Sequence, residues 1–276
     1  MIAAVIGGGT MGAGIAHVLL AGGHRVVLVE AGAERVAAAG QRVERSLAKA
    51  DERGKLPAPP AELLARLTVA REIADLAPDV ELVVEAVPED AALKRAVLAA
   101  AATACPNAVL ASNTSSLSIT ALAEGLPGHR VLGLHFFNPV PVQPLVELVR
   151  HDGADPDVLA RARVWAESLG KTVIEVRDSP GFATSRLGVA VGLEAIRMLE
   201  EGVADAEGID TGMRLGYNWP VGPLRLTDLV GLDVRLAIAE HLEAELGPRF
   251  APPALLRAKV ARGELGRKSG QGFFAW

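Results

Sequence analysis

One cysteine, Cys105, stands in 276 residues. An intrachain disulfide is thereby excluded, and so is a metal site built from several thiolates. The six histidines are scattered, so the sequence offers no ligand cluster for a metal-dependent alcohol dehydrogenase. Aromatic residues are also scarce, at 4% of a chain that is 50% hydrophobic. The interior must therefore be built from Ala, Val and Leu, which suits helices packed on a buried sheet better than a β-sandwich. No apolar run approaches the roughly 20 residues of a membrane-spanning helix, because Gly, Arg or Glu interrupts each one. The N-terminus enters a strand pattern directly, without the charged region and cleavage site of a signal peptide. The net charge of -5 is mild and both signs are interspersed, which leaves no basic stripe for a phosphate backbone. These absences predict a soluble, cytoplasmic protein with no nucleic-acid partner and no membrane association.

What is present alternates between two periods. The apolar run Ala3–Ile6 ends in glycines, Met11–Ala21 has helical spacing, and Arg25–Val29 is a second, β-branched run. Together they read as a βαβ unit. Glu34–Arg53 has helical spacing with mixed charge, and Pro57–Pro60 stops it before another short helix. A helical hairpin inserted in the sheet is expected there. Buried strands are predicted at Val80–Val84, Ala108–Ala111, Val131–Leu134, Leu145–Val149 and Thr172–Val176. They alternate with helices at Ala91–Ala104, near Ile119–Ala123 and after Pro156. Beyond Asp178–Gly181 the β pattern stops, and Arg186–Gly202, Ala206–Leu215, Gly231–Gly247 and Ala254–Gly263 read as helices. The expected fold class is α/β: a doubly wound sheet domain over 1–180, then an all-α domain over 181–276. The helix from Arg186 is apolar on too many sides for a surface helix, which predicts a homodimer formed through the C-terminal domain.

Gly7, Gly9 and Gly12 form G-x-G-x-x-G between a strand and a helix, with Thr10 and Met11 inside the motif. Gly7 would make the tight turn, Gly9 would let backbone approach a pyrophosphate, and Gly12 would let the helix pack on the strand. Glu30 closes the second strand about 20 residues on, where the Rossmann fingerprint places an acid for the adenosine ribose. A carboxylate there accepts from the ribose hydroxyls and repels a 2′-phosphate, and the following Ala31 and Gly32 offer no replacing cation. NAD, rather than NADP, is the cofactor this reading selects.

Two polar segments fall where strands end, Ser112–Ser116 and His135–Pro139, and open α/β sheets bind ligands at strand ends. Oxidising a secondary alcohol needs a base for the hydroxyl proton, and His titrates nearest physiological pH. His135 is the candidate base, although a His after an apolar run is, taken alone, more often structural. Glu147 on the next apolar run could orient its imidazole.

At this point the chain resembles the L-3-hydroxyacyl-CoA dehydrogenases, particularly the bacterial 3-hydroxybutyryl-CoA dehydrogenases. The resemblance spans essentially the whole chain. It rests on Ile6–Ala16 (IGGGTMGAGIA), Ala111–Thr120 (ASNTSSLSIT), His135–Val142 (HFFNPVPV) with Leu145–Leu148 (LVEL), Val221–Asp233 (VGPLRLTDLVGLD) and Gly266–Phe274 (GRKSGQGFF). It implies an NAD-dependent oxidoreductase that interconverts 3-hydroxyacyl-CoA and 3-ketoacyl-CoA. His135 would be the base, Glu147 its partner, Ser115 a hydroxyl on the reacting oxygen and Asn138 a neighbour of the nicotinamide. Glu89, Lys94, Asn113 and Lys268 would be further cofactor neighbours, and the inserted hairpin would hold coenzyme A through Ser46 and Arg53. One departure stands out. Ser185 occupies a position near the active site where the family usually carries Asn before Arg, and the shorter side chain would reach a thioester carbonyl only through a water. Two other readings stay open on the residues alone: a related dehydrogenase of a free hydroxy acid or sugar acid, and a non-catalytic dinucleotide-binding protein.

Overall fold

A computed structural model describes all 276 residues, which divide into two compact units, Met1–Asp178 and Ser179–Trp276. The first opens with β1 (Ile2–Ile6), α1 (Thr10–Ala21), β2 (Arg25–Val29), α2 (Ala33–Asp51), α3 (Pro60–Leu64) and β3 (Leu67–Ala70). It continues with β4 (Leu82–Glu85), α4 (Ala91–Ala104), β5 (Val109–Ser112), α5 (Ile119–Ala123) and β6 (Val131–Phe136). It closes with β7 (Leu145–Arg150), α6 (Pro156–Ser168) and β8 (Thr172–Arg177). The strands form one sheet in the order β3-β2-β1-β4-β5-β6-β7-β8, parallel throughout except where β7 runs antiparallel to β6.

The order reverses direction between β1 and β4, so the crevice beyond their carboxyl ends is the topological switch point at which such sheets bind ligands. The central strands are apolar on both faces because helices cover both. Ala3, Val5, Val83, Leu110 and Leu132 are buried, as a doubly wound parallel sheet requires. Helix α1 is buried from Gly12 to Leu20. Helix α2 is amphipathic instead: it buries Ala39, Val43 and Leu47, one every fourth residue, and turns a charged face outward.

Several elements differ from the expectation. Strand β3 was not anticipated, and the second arm of the inserted hairpin is only the five-residue α3. Strands β4, β5 and β6 each run past the expected end, to Glu85, Ser112 and Phe136. Polar residues at the carboxyl ends of the strands are thus held rigidly by the sheet.

The second unit is helical: α7 (Thr184–Glu200), α8 (Ala206–Gly216), α9 (Pro223–Val230), α10 (Leu232–Leu246) and α11 (Ala254–Ala261). Its core gathers Val189, Leu193, Ile196, Leu224, Leu232 and Leu242. Buried Asp228 clasps the C-terminal segment, accepting from the Phe273 and Phe274 N–H groups and the Trp276 indole at 2.8 to 2.9 Å. No helix in either unit is long and apolar enough to cross a membrane.

Candidate active site

The loop between β1 and α1 is as tight as its glycines require. Gly7 has φ +105°, and a Cβ there would lie 2.7 Å from the Ala86 carbonyl oxygen. A Cβ on Gly12 would lie 1.8 Å from the Gly7 carbonyl oxygen. Gly9 is the opposite case, since a Cβ there would meet nothing within 4 Å. No side chain caps α1, so the first-turn N–H groups of Thr10, Met11 and Gly12 remain available to an anion, reinforced by the positive end of the helix dipole. Glu30 is anchored beside this loop: its carboxylate accepts from the Gly8 N–H at 2.8 Å and the Ala31 N–H at 3.0 Å. An uncapped helix start, open space at Gly9 and a fixed carboxylate at the end of β2 fit a dinucleotide.

His135 and Glu147 are directly opposed across the antiparallel β6–β7 pair. The imidazole donates through Nδ1 to Glu147 Oε2 at 2.7 Å, with both residues buried. That bond fixes the tautomer and makes Nε2 the basic nitrogen. The Phe137 ring lies 4.4 Å from the imidazole centroid, which limits how the ring can turn.

A second acidic centre organises the Ser112–Ser116 segment. Glu85, fully buried at the end of β4, accepts from the Lys94 ammonium at 2.8 Å, the Ser112 hydroxyl at 2.6 Å and the Val87 N–H at 2.7 Å. Glu89 lies 3.3 Å from the same ammonium. Its Oε1 accepts from the Thr114 hydroxyl at 2.6 Å, the Ser115 N–H at 3.0 Å and the Ser116 hydroxyl at 3.2 Å. Burial opposes the charge on Glu89, but Lys94 and these donors outweigh it and hold the carboxyl below its ordinary range. Ser115 Oγ is itself 3.4 Å from Glu89, so the serine segment is positioned by Glu89, and Glu89 by Lys94. Lys94 is buried and reaches the serine segment through Glu89. Asn113 spends its carbonyl oxygen on the Phe136 N–H at 2.9 Å, tying the end of β5 to β6 next to His135.

Asn138 and Thr10 line a common cleft of about 380 Å³, which connects the strand bearing His135 with the glycine loop. Ser46 and Lys49 line that cleft and a neighbouring one of about 190 Å³, which Arg53 and Lys55 also border. Arg42, Arg45 and Lys49 recur at helical spacing, so α2 presents them on one side together with Ser46, and Arg53 follows in the turn just past its end. The sequence reading named only Ser46 and Arg53. The i, i+3, i+7 recurrence of cations was the signal that would have added Arg42, Arg45 and Lys49. The Ser46 hydroxyl is 2.7 Å from His17 Nδ1 on α1. Burial, and secondarily Lys171, lowers that imidazole to about 4. Lys171 in turn holds the wall of the clefts by donating to the Val140 and Gln143 carbonyls at 2.6 and 2.8 Å.

In the second unit, Ser185 is half-buried in the first turn of α7. Lys268 lies 2.6 Å from the Asp233 carboxylate, which fixes the loop that follows α11.

Comparison with known proteins agrees along the whole chain. The family model described as 3-hydroxyacyl-CoA dehydrogenase, NAD binding domain, matches residues 2–179. The model for the C-terminal domain of the same family matches residues 181–276. A probable 3-hydroxybutyryl-CoA dehydrogenase of Deinococcus radiodurans is 42% identical, covering 99% of both chains. The 3-hydroxybutyryl-CoA dehydrogenase of Mycobacterium tuberculosis is 43% identical over 99% of this chain and 97% of its own. The crystal structure of (S)-3-hydroxybutyryl-CoA dehydrogenase from Ralstonia eutropha superposes with a TM-score of 0.94 at 40% identity, covering 100% of this chain and 98% of that one.

Proposed function

The chain belongs to the 3-hydroxyacyl-CoA dehydrogenase family, and we propose that it is an NAD-dependent oxidoreductase interconverting (S)-3-hydroxyacyl-CoA and 3-ketoacyl-CoA, with 3-hydroxybutyryl-CoA as a substrate. The observation that carries this reading is the buried 2.7 Å bond between His135 and Glu147. It is the arrangement a base needs if it is to take an alcohol proton and bear the resulting charge.

NAD, when bound, supplies the acceptor for the hydride that leaves C3. The residues that would hold it are Gly7, Gly9, Thr10, Met11 and Gly12 at the pyrophosphate and Glu30 at the adenosine ribose, with Glu89, Asn113 and Asn138 towards the nicotinamide. His135 Nε2 takes the C3 hydroxyl proton during oxidation, and Glu147 offsets the imidazolium charge across the strand pair. In reduction His135 returns the same proton. Ser115, held by Glu89, contacts the reacting oxygen. Arg42, Arg45, Lys49 and Arg53, with Ser46, supply the cations and the hydroxyl that phosphate groups of coenzyme A require. Ser185, where the family usually carries Asn, influences which acyl chains are accepted.

We read the functional unit as a homodimer built on the second unit, which leaves Leu187, Val203, Leu215 and Tyr217 exposed at 61 to 78%. The compartment we infer is the cytoplasm, where the single buried thiol of Cys105 stays reduced.

The test is formation of reduced nicotinamide from (S)-3-hydroxybutyryl-CoA and from free 3-hydroxybutyrate, compared under identical conditions. The thioester should have a kcat/KM at least about 100-fold higher, because remote binding energy on the coenzyme is used at the reacting carbon. Equal values would remove coenzyme A from the reading.

A further inference from the structure

The adenosine end of the dinucleotide site holds charge that the order of residues conceals. A pocket of about 530 Å³ opens beyond the carboxyl ends of β1 and β2, with Gly7, Glu30 and Val87 in its lining. The same pocket is lined by Arg35 and Arg71. Neither adjoins Glu30 in sequence. The first turn of α2 brings Arg35 back towards the end of β2, where its Nε donates to the Ala31 carbonyl at 2.6 Å and lies 3.7 Å from Glu30 Oε1. Its two Nη nitrogens carry no hydrogen bond, and its side chain is 71% exposed. Arg71 arrives by strand pairing: Val29 is opposite Ala70, and the Glu30 N–H donates to the Ala70 carbonyl at 3.1 Å, so the residue after β3 stands beside the residue after β2.

The remaining charged group in the lining, Glu72, is occupied elsewhere. Its side chain caps the short turn Ile73–Asp75. Glu30 is likewise fixed, with one backbone N–H on each carboxylate oxygen. An anion placed next to Glu30 therefore meets one immobile carboxylate and two guanidinium groups on flexible stems. Guanidinium groups form paired, charge-assisted hydrogen bonds with phosphate, and an Arg near the ribose-binding acid is the general means by which such folds accommodate a 2′-phosphate.

We propose that Arg35 and Arg71 let this site take the 2′-phosphorylated nicotinamide dinucleotide as well as the unphosphorylated one, Glu30 favouring NAD and the two arginines offsetting its repulsion of NADP. This inference rests on the dinucleotide reading of the glycine loop and Glu30.

The experiment is equilibrium titration with NADH and NADPH, read by nucleotide fluorescence, on the wild-type protein and on the Arg35→Ala/Arg71→Ala double variant at low and high salt. Wild-type protein should bind both nucleotides. In the double variant the ratio of the NADPH constant to the NADH constant should rise about tenfold, the loss expected for charge-assisted contacts to a phosphate. The NADPH constant of the wild type should also weaken more steeply with salt. A ratio that rises less than about threefold overturns the proposal, since a factor of that size is what exposed ion pairs give without specific recognition. Wild-type protein that binds NADH but not NADPH overturns it too, and leaves the NAD reading standing. Wild-type protein that binds neither nucleotide brings down both.

Discussion

Lys94 and Glu89 decide how the Ser112–Ser116 segment is presented. Lys94 neutralises Glu85 inside the sheet and steadies Glu89, which in turn holds Thr114, Ser115 and Ser116. Removing one partner of such a buried pair strands the other charge in a medium that solvates it poorly. Lys94→Met should therefore lower stability by about 3–5 kcal/mol. Adding Glu85→Gln should restore a large part of it, because the amide can still use the Ser112 hydroxyl and the Val87 N–H. Urea unfolding of the two variants measures this, and a neutral Lys94→Met would show that the pair does not bear on folding. His135 and Glu147, which the structure brings within 2.7 Å, stood out in the sequence because each lies on an apolar run of strand length, one polar residue among apolar neighbours. The Lys94 network was not legible, since burial of a lysine depends on how its helix packs against the sheet, and the Glu85 and Ser112 side chains that meet there are 27 residues apart in sequence.

At the scale of elements, the contact between α1 and α2 stores a pH dependence. His17 on α1 meets Ser46 on α2, and its imidazole is lowered from the ordinary 6.5 to about 4. As pH falls, the unfolded chain takes up this proton first, so stability that is complete above 6.5 is lost on the way down towards 4. After allowance for screening by water the loss is about 2 kcal/mol. Wild-type protein should lose that much more than His17→Gln between the two limits, measured by urea unfolding at a series of pH values. Parallel curves would show that the histidine titrates alike in the folded and unfolded states. Element boundaries also show where patterns mislead. Leu67–Ala70 is four residues long and only half-buried, too short to display a period of two. The ProValGlyPro stretch reads as a break, yet Pro223 is the first residue of α9, a position that tolerates proline because its N–H would be unpaired there. Overlooking β3 also hid Arg71, whose place beside Glu30 exists only through the β2–β3 register.

For the molecule as a whole, the alternation of strands and helices and the switch to an all-helical pattern after Gly181 carried the architecture. Strand order was beyond reach, because nothing local in β7 marks it as antiparallel to β6, and that reversal is what sets Glu147 opposite His135. The exposed apolar side chains of the second unit lead us to expect a dimer, with light scattering after size exclusion giving twice the chain mass of 28.7 kDa. A particle of the single-chain mass at micromolar concentration would refute it. The central claim is that an imidazole backed by a carboxylate moves the proton while hydride leaves C3. It is tested most directly by the turnover of (S)-3-hydroxybutyryl-CoA in His135→Gln, with NADH binding measured alongside by fluorescence. Turnover should fall by about 100- to 10,000-fold, the contribution of a positioned general base, with the NADH constant little changed. Turnover equal to the wild type in that variant would contradict the account.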